Sequence, residues 1–370
     1  MPGNQYLYAM HSPQPGRRNL LCILDWGLGH ASRSLAMAEA LEAAGETTYF
    51  ASCGRAKKFL EAERPGLKVY ELPAYDVTYP TRFMPLNVAL QLPRWLQTIW
   101  RERRCMEKLI KELSIDRIIS DNRFGCYDPE VPSVFLTHQL HPITHNALVS
   151  FIYRHYLQRF DEFWVPDYAV AGQRISGKLS DPKGYEAVHF IGPLSRLITP
   201  DQRKRGGPAT QRKRGGPGDP ADQPSPLATQ DVPPGLQFLA LLSGPEPMRT
   251  QLENIVLSQL KDIPGPHVLV RGLPGGAPPL SGPLPDDLTV HDFADAALLT
   301  RLLPAARHII CRSGYSTLMD VYAITQGEKL ILIPTPGQTE QVYLAKREAN
   351  RIGSKAVLKQ DKLNLRALLD

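Results

Sequence analysis

Residues 19–45 read NLLCILDWGLGHASRSLAMAEALEAAG. The opening NLLCILD is an apolar run of strand length that stops at Asp25. From Ser32 onward Leu35, Met37, Ala38 and Leu41 recur at helical spacing, and Gly45 stands where a helix takes its left-handed end residue. Gly27, Gly29 and His30 lie between the two patterns. Glycines at a strand-to-helix turn let another group come close to backbone, and the helix beyond offers unpaired N–H groups and the positive end of its dipole. A histidine at such a mouth can move protons near neutral pH, or it can simply cap or pack.

The same alternation extends in both directions. TTYFAS (47–52), LKVYELP (67–73), DRIISD (116–121) and PSVFLTHQL (132–140) read as strands. RAKKFLEAE (55–63) and RRCMEKLIKEL (103–113) read as helices. After residue 235 the pattern restarts. LQFLALLSG, HVLVRG, LTVHDF, RHIICRSG and KLILIPTP are strands, and MRTQLENIVLSQL, AALLTRLLPAA, TLMDVYAITQ and TEQVYLAKREANRIG are helices. Repeated βα units argue for parallel, doubly wound sheets, which bind ligands beyond the carboxyl ends of their strands.

Between the halves, residues 199–235 are Pro, Gly and charge with no apolar period, so a linker or insertion is expected there. It carries QRKRGGP twice, at 202–208 and 211–217, and the six basic residues of the two copies match the whole net charge of +6. The rest of the chain is close to neutral, so the charge reads as a solvated linker rather than a basic binding face. At 370 residues, 42% hydrophobic and 22% charged, the chain reads as two ordinary globular domains. No apolar run reaches the length of a membrane span, and the first residues lack a signal-peptide core, so a cytoplasmic protein is expected. The five cysteines are scattered without a C-x-x-C pair and imply neither a disulfide framework nor a zinc knuckle.

The second half carries the sharper chemistry. In CRSGYSTLMD (311–320), Arg312, Ser313 and Gly314 form a turn after a strand, Ser316 and Thr317 open a helix, and Asp320 lies one turn in. Helix N-termini bind anions, and a carboxylate one turn along can hold the two hydroxyls of a ribose. IPTPGQTEQ (333–341) places Glu340 and Gln341 at another helix start, and LLSGPEP (241–247) gives a third strand-to-loop junction with Ser243 and Gly244. A dinucleotide fold would need a third glycine where Ser32 stands and an acid after the second strand, where the chain reads ASCGR. NAD and FAD are therefore disfavoured.

CRSGYSTLMDV followed by ILIPTPGQTEQVYLA resembles the donor-binding region of the GT-B glycosyltransferases, and within them the MurG-like branch, which transfers N-acetylglucosamine from a UDP-sugar during peptidoglycan synthesis. The GLGH turn, THQL (137–140), IGPLSR (191–196) and VHDFAD (290–295) fall in the matching order, and the resemblance spans nearly the whole chain apart from the linker. It implies an α/β GT-B fold: two Rossmann-like βαβ domains facing each other across a cleft. Residues 1–196 would form the acceptor-side domain, 197–235 the linker, and 236–370 the nucleotide-sugar domain. Asp25 and Trp26 make the first loop less glycine-rich than the family's, and PGQTEQ differs from the peptidoglycan enzyme's own loop. The resemblance thus implies a distinct sugar transferase of the same design.

Carried over by position, Asp320 falls where the family holds the ribose with a glutamate. Ser243, Gly244 and Arg196 fall near the donor phosphates, with Arg312, Ser313, Gly314, Ser316 and Thr317 at the phosphate-side turn. Phe293 and Ala294 fall in the segment that reads the base, and Glu340 and Gln341 in the pair that holds the sugar. His30 matches the histidine facing the acceptor and is the expected base, with Asp25 as its orienting partner or substitute. Gly27, Gly29, Asp121, Asn122 and His138 are expected on the acceptor side, with an Asx turn as the alternative for Asp121 and Asn122. The implied reaction is inverting transfer from a nucleotide-diphosphate sugar, most simply a UDP-sugar, to a hydroxyl, with no cofactor and no obligatory metal. A UDP-sugar 2-epimerase on the same fold and a nucleic-acid binder using the RKRGG copies are the alternatives.

Two weaker signals remain. His138, His141 and His145 in THQLHPITH have a spacing that could ligate zinc, but the stretch runs from a strand into a loop with Pro142, so no shared face is expected. MPLNVALQLPRWLQTIWRERR (84–104) interleaves Trp95 and Trp100 with Arg94, Arg101, Arg103 and Arg104, which suits a membrane face or lipid-linked acceptor and equally suits buried packing with a solvated basic end.

Overall fold

The computed structural model describes residues 14–76, 84–143, 147–198 and 232–369, apart from 275, 277, 281, 283 and 328. Most of the Pro/Gly/basic stretch, and His145, lie outside the described residues. The chain divides into two compact units, Met1–Gly206 and Gly207–Asp370.

The first unit is built on seven parallel strands: β1 (Arg18–Ile23), β2 (Thr47–Ser52), β3 (Val69–Glu71), β4 (Arg117–Asp121), β5 (Ser133–Leu136), β6 (Glu162–Val165) and β7 (Val188–Phe190). Their order is β3-β2-β1-β4-β5-β6-β7. Helices α1 (Leu28–Glu42), α2 (Gly54–Glu63), α3 (Met84–Leu113) and α4 (Ala147–Leu157) connect them. Strands covered on both faces read as continuous apolar runs, and Leu20, Leu21, Cys22 and Ile23 of β1 are all fully buried. Leu20 and Cys22 pack with Ala51, Met106, Leu109 and Ile118 in the core between sheet and α3. The winding direction reverses between β1 and β4, where Ile23 is in register with Asp121. Open α/β sheets bind ligands at this kind of switch point, beyond the carboxyl ends of the strands.

The second unit repeats the scheme with six parallel strands, β8 (Phe238–Leu241), β9 (His267–Val270), β10 (Leu288–His291), β11 (His308–Cys311), β12 (Leu330–Leu332) and β13 (Lys355–Ala356), in the order β10-β9-β8-β11-β12-β13. Its helices are α5 (Met248–Leu260), α6 (Ala296–Ala305), α7 (Tyr315–Ile324) and α8 (Thr339–Ile352). Phe238, Ala240, Leu252, Val256, Leu269, Ile310 and Ile331 form the core on the α5 side of the sheet. The switch point lies between β8 and β11. Both units are thus Rossmann-like α/β layers, as the alternating sequence predicts.

Three details depart from the sequence reading. Helix α1 starts at Leu28 rather than Ser32, which puts His30 inside its first turn. Helix α3 starts at Met84 and contains Pro93, well before the expected 103. A proline inside a helix forfeits one backbone hydrogen bond, and here its ring lies exposed, where solvent can serve the freed carbonyl. β6, β7 and β13 are two to four residues long, too short for a period to register.

The loop after β4 is held tightly. Asn122 takes a left-handed φ of 58°, the Ser120 hydroxyl donates to the Arg123 carbonyl at 2.6 Å, and the Gly125 N–H donates to Glu102 at 2.9 Å. A Cβ on Gly125 would fall 2.2 Å from the Ile99 carbonyl oxygen and 2.7 Å from the Glu102 Cβ. The expected effect of Gly125→Ala is therefore overpacking that costs roughly 1–3 kcal/mol, read as a lower urea midpoint at unchanged slope.

Candidate active site

His30 and Asp121 meet because their strands are neighbours. Asp121 is the last residue of β4, and His30 sits in the first turn of the helix that leaves β1. His30 Nδ1 lies 2.7 Å from Asp121 Oδ1. Gly27, with φ at 94°, is the N-cap of α1, and only a residue without Cβ makes that turn freely.

Behind this pair stands Arg33, one turn further along α1 and fully buried. Its Nε donates to Asp121 Oδ2 at 2.8 Å, and its Nη2 donates to Asp121 Oδ1. Nη1 lies 3.0 Å from His138 Nδ1, and the Ser34 hydroxyl donates to Asp121 Oδ2 at 3.2 Å. Burial alone would push the Asp121 carboxyl up, but the Arg33 guanidinium and His30 hold it well below the usual carboxylate range. For His30 burial wins: it lowers the imidazole pKa, Asp121 opposes, and Arg33 adds to the lowering. His30 is therefore neutral at neutral pH, with its side chain 17% exposed and no partner on Nε2 among the described residues. A neutral imidazole with a bare Nε2 and a carboxylate behind Nδ1 is equipped to take a proton.

The sequence expectations for this region need two corrections. Asp25 does not orient His30; Asp121 does, because the register of β1 and β4 brings it there, while Asp25 lies 3.9 Å from Arg123. Asp121 is fully buried with both oxygens engaged, so it cannot meet an acceptor hydroxyl as expected. Asn122 beside it is half-buried and in the strained turn. Gly29 lies in the first turn of α1 and His138 just beyond β5, so both share this end of the sheet. Arg33 and Ser34 were missed; the signal was a basic residue three positions after His30 on a helix face otherwise apolar.

A second buried guanidinium underlies the same loops. Arg123 donates to the Ile23 carbonyl at 2.8 Å, the Pro73 carbonyl at 3.0 Å and Glu102 at 2.7 Å, and lies 3.0 Å from Cys53 Sγ. Burial pushes the Cys53 thiol up to about 12, against the pull of Arg123, so it stays protonated and unreactive.

In the second unit the loops after β8, β11 and β12 converge. Gly244 has φ of 106°, and a Cβ there would lie 3.4 Å from Thr335 Oγ1 and 3.8 Å from Arg312 Nε. Arg312 is buried and braces these loops: its Nη groups donate to the carbonyls of Met248 (2.8 Å), Pro334 (3.1 Å) and Ile333 (3.3 Å) and to Gln360 at 3.0 Å. Its Nε and Thr335 Oγ1 are buried without a partner among the described residues. Ser313 donates to the Gln341 carbonyl at 2.8 Å, and the Gln341 side chain accepts from the Thr335 N–H at 2.8 Å and donates to Gln338 at 2.5 Å. Gly314 is the N-cap of α7, with Ser316 and Thr317 in its first turn and Asp320, half-buried, in its second. Ser243 lies in the same convergence, and Glu340 opens α8.

Other expected donor residues fall in different elements. Arg196 belongs to the first unit, where it pairs with Glu63 at 2.8 Å. Phe293 and Ala294 follow β10, two strands from β8, with Ala294 buried and Asp295 capping α6. Thr335 was missed; it stood unremarked in IPTPGQTEQ.

No family model and no curated protein matches the chain. Solved structures do match its fold. The glycotransferase of kitacinnamycin is 14% identical with a TM-score of 0.61, over 96% of this chain and 89% of that one. MurG of Acinetobacter baumannii is 14% identical with a TM-score of 0.51, over 96% and 89%. The spinosyn rhamnosyltransferase SpnG complexed with thymidine diphosphate is 13% identical with a TM-score of 0.54, over 92% and 86%. At these identities the likeness is one of fold, and it places the chain in the GT-B α/β class, with two parallel-sheet Rossmann-like units, in agreement with the resemblance drawn from CRSG and PGQTEQ.

The Arg33–Asp121 pair yields a stability test. Asp121→Asn leaves a buried guanidinium without its counter-charge and is expected to cost about 3–5 kcal/mol in urea unfolding at neutral pH. Because the folded carboxyl is held below its unfolded pKa, its contribution is present above the ordinary carboxylate range and lost as pH falls through that range and below. The gap between wild type and variant should therefore narrow on acidification and not on alkalinisation.

Proposed function

We propose that the chain is an inverting glycosyltransferase that moves a sugar from a nucleotide-diphosphate sugar to an acceptor hydroxyl, with no obligatory metal. The pairing of His30 with Asp121 at the β1/β4 switch point carries the reading. His30 Nε2 takes the acceptor proton as the oxygen attacks the anomeric carbon, and Asp121 holds the Nδ1–H and offsets the imidazolium that forms. A single in-line displacement inverts the centre. Charge on the departing diphosphate is met by the N-terminus of α7 and by Ser243, Arg312 Nε and Thr335 Oγ1 around Gly244, where a glycine lets an anion come close to backbone. Asp320 is assigned to the ribose, Phe293 and Ala294 to the base, and Glu340 to the sugar hydroxyls, with Gln341 shaping the loop beside it.

UDP is the proposed carrier; the thymidine diphosphate bound to SpnG makes dTDP the competitor to test. A thermal-shift series with UDP, dTDP, GDP and NAD, each with EDTA or magnesium, is expected to show stabilisation by one nucleoside diphosphate in EDTA, abolished in Asp320→Ala. Stabilisation by NAD alone, or only with magnesium, would refute this donor site. His30→Ala should keep that shift and lose transfer by about 10²–10⁴-fold, the range of a removed general base. Interconversion of donor without acceptor would replace transfer with the epimerase reading.

We further propose an acceptor that is lipid-linked or held at a membrane. No helix among the described residues is long and apolar enough to cross one. On α3, however, Leu90, Leu96 and Trp100 are exposed, and Arg104 stacks 3.8 Å over the Trp100 ring, with Arg101 exposed beside them. An exposed tryptophan next to arginines suits an anionic lipid surface. Co-sedimentation with anionic vesicles is expected for wild type and should fall several-fold in Trp100→Ala; equal sedimentation of the two would count against this surface.

A further inference from the structure

Arg33 touches two imidazoles and the carboxylate between β1 and β5, and nothing in the transfer chemistry requires it. It reaches no solvent, so it does not meet substrate. Its hydrogen bonds, however, constrain protons elsewhere. A guanidinium has donors and no acceptor. The His138 Nδ1 that lies 3.0 Å from Arg33 Nη1 must therefore be the bare nitrogen, and the His138 proton must sit on Nε2. That Nε2 lies 3.3 Å from the Gln139 amide nitrogen, and the carboxamide must turn over to offer it the oxygen instead.

The constraint on His30 runs the other way. Its Nδ1 lies 2.7 Å from Asp121 Oδ1, an oxygen that only accepts, so a lone pair on Nδ1 would face another lone pair. Arg33 Nη2 carries two hydrogens and lies 3.0 Å from the same Nδ1, but one hydrogen goes to Asp121 Oδ1, and the shorter 2.7 Å contact of Nδ1 with that carboxylate oxygen requires a proton between them. Two donors then converge on one oxygen, and the His30 proton sits on Nδ1.

We infer that Arg33 is a positioning residue that locks two histidines in opposite tautomers: His30 with its lone pair on Nε2, and His138 with a proton on Nε2. The inference rests on the reading of His30 as the base and deepens it, since the same site then presents one acceptor and one donor of protons from the strand ends on either side of β4. The charged and titratable groups facing His30 are Asp121 from β4, Arg33 from α1 and His138 beyond β5, and Arg33 also acts on Tyr153 from α4. Burial lowers the His30 pKa, and one carboxylate against one guanidinium leaves little net field to oppose it.

The test is long-range ¹H–¹⁵N spectroscopy of the full chain labelled in histidine, with His30→Gln and His138→Gln to assign the signals. Wild type should show an Nδ1–H tautomer for His30, titrating below an ordinary histidine, and an Nε2–H tautomer for His138. Arg33→Gln removes charge and fork together. It should raise the His30 titration by about one unit or more, let the His138 tautomers mix, and move the acidic limb of kcat/KM by the same amount. Arg33→Lys keeps the charge but not the fork; it should leave the His30 titration low and still release His138. A wild-type His138 with its proton on Nδ1 overturns the inference without any variant, so it stays decidable if the variants fail to fold. Spectra of folded Arg33→Gln identical to wild type overturn it as well. These signals need neither donor nor acceptor. Tautomers as stated together with full turnover by His30→Ala would sink the transfer reading and leave the lock standing.

Discussion

The first unit turns on one buried ion pair, Arg33 with Asp121. Both groups are fully desolvated, and taking two charges out of water costs several kcal/mol each, which only bidentate geometry and further hydrogen bonds offset. Here the offset is complete: two Arg33 donors, His30 and the Ser34 hydroxyl all reach the carboxylate. An apolar pair of the same volume could stabilise the sheet as well. What it could not do is hold a carboxylate ionised behind an imidazole in a site closed to water. The pair makes sense as chemistry placed inside a core, and the parallel register of β1 and β4 makes it reachable.

The second unit uses a buried arginine differently. Among the described residues Arg312 meets carbonyl oxygens and an amide and no carboxylate, and burial lowers its pKa to about 10, still far above neutrality. A cation without a counter-charge among the described residues, and with its Nε–H unpaired among them next to Gly244, is a standing field for an anion. The first unit neutralises Arg33 internally and leaves one nitrogen of His30 open; among the described residues the second leaves Arg312 unneutralised beside a helix N-terminus. Two sheets wound on the same scheme thus offer different electrostatics at their switch points.

The fold was legible because its signals are local and repeated. Continuous apolar runs such as NLLCI and ALL, each followed by a helical period, can be read one at a time, and two sets of them separated by a Pro/Gly stretch give two sheets. The motif turns were legible too, since GLGH and CRSG sit at strand ends. The partners of those turns were not. Asp25 is five residues from His30 and looked like its companion, yet Asp121, 91 residues away, is the one in contact. That pairing depends on β4 lying beside β1, with β2 and β3 wound to the other side, which is strand order and leaves no mark on the spacing. Arg33 was invisible for a related reason: an arginine on a helix reads as surface until the structure supplies two strands whose ends it can bridge.

Lysine could supply the positive charge at position 33, and it is the shorter step to explain why arginine stands there. An ammonium is a point charge that would neutralise Asp121 and stop. A guanidinium is planar, with donors in fixed directions, and Arg33 uses three of its nitrogens on three different acceptor sites. Charge alone sets how readily His30 gains a proton, whereas direction sets which nitrogen carries it. A base that presents Nε2, as proposed for His30, needs both, and the geometry around Asp121 ties the two requirements to a single buried side chain.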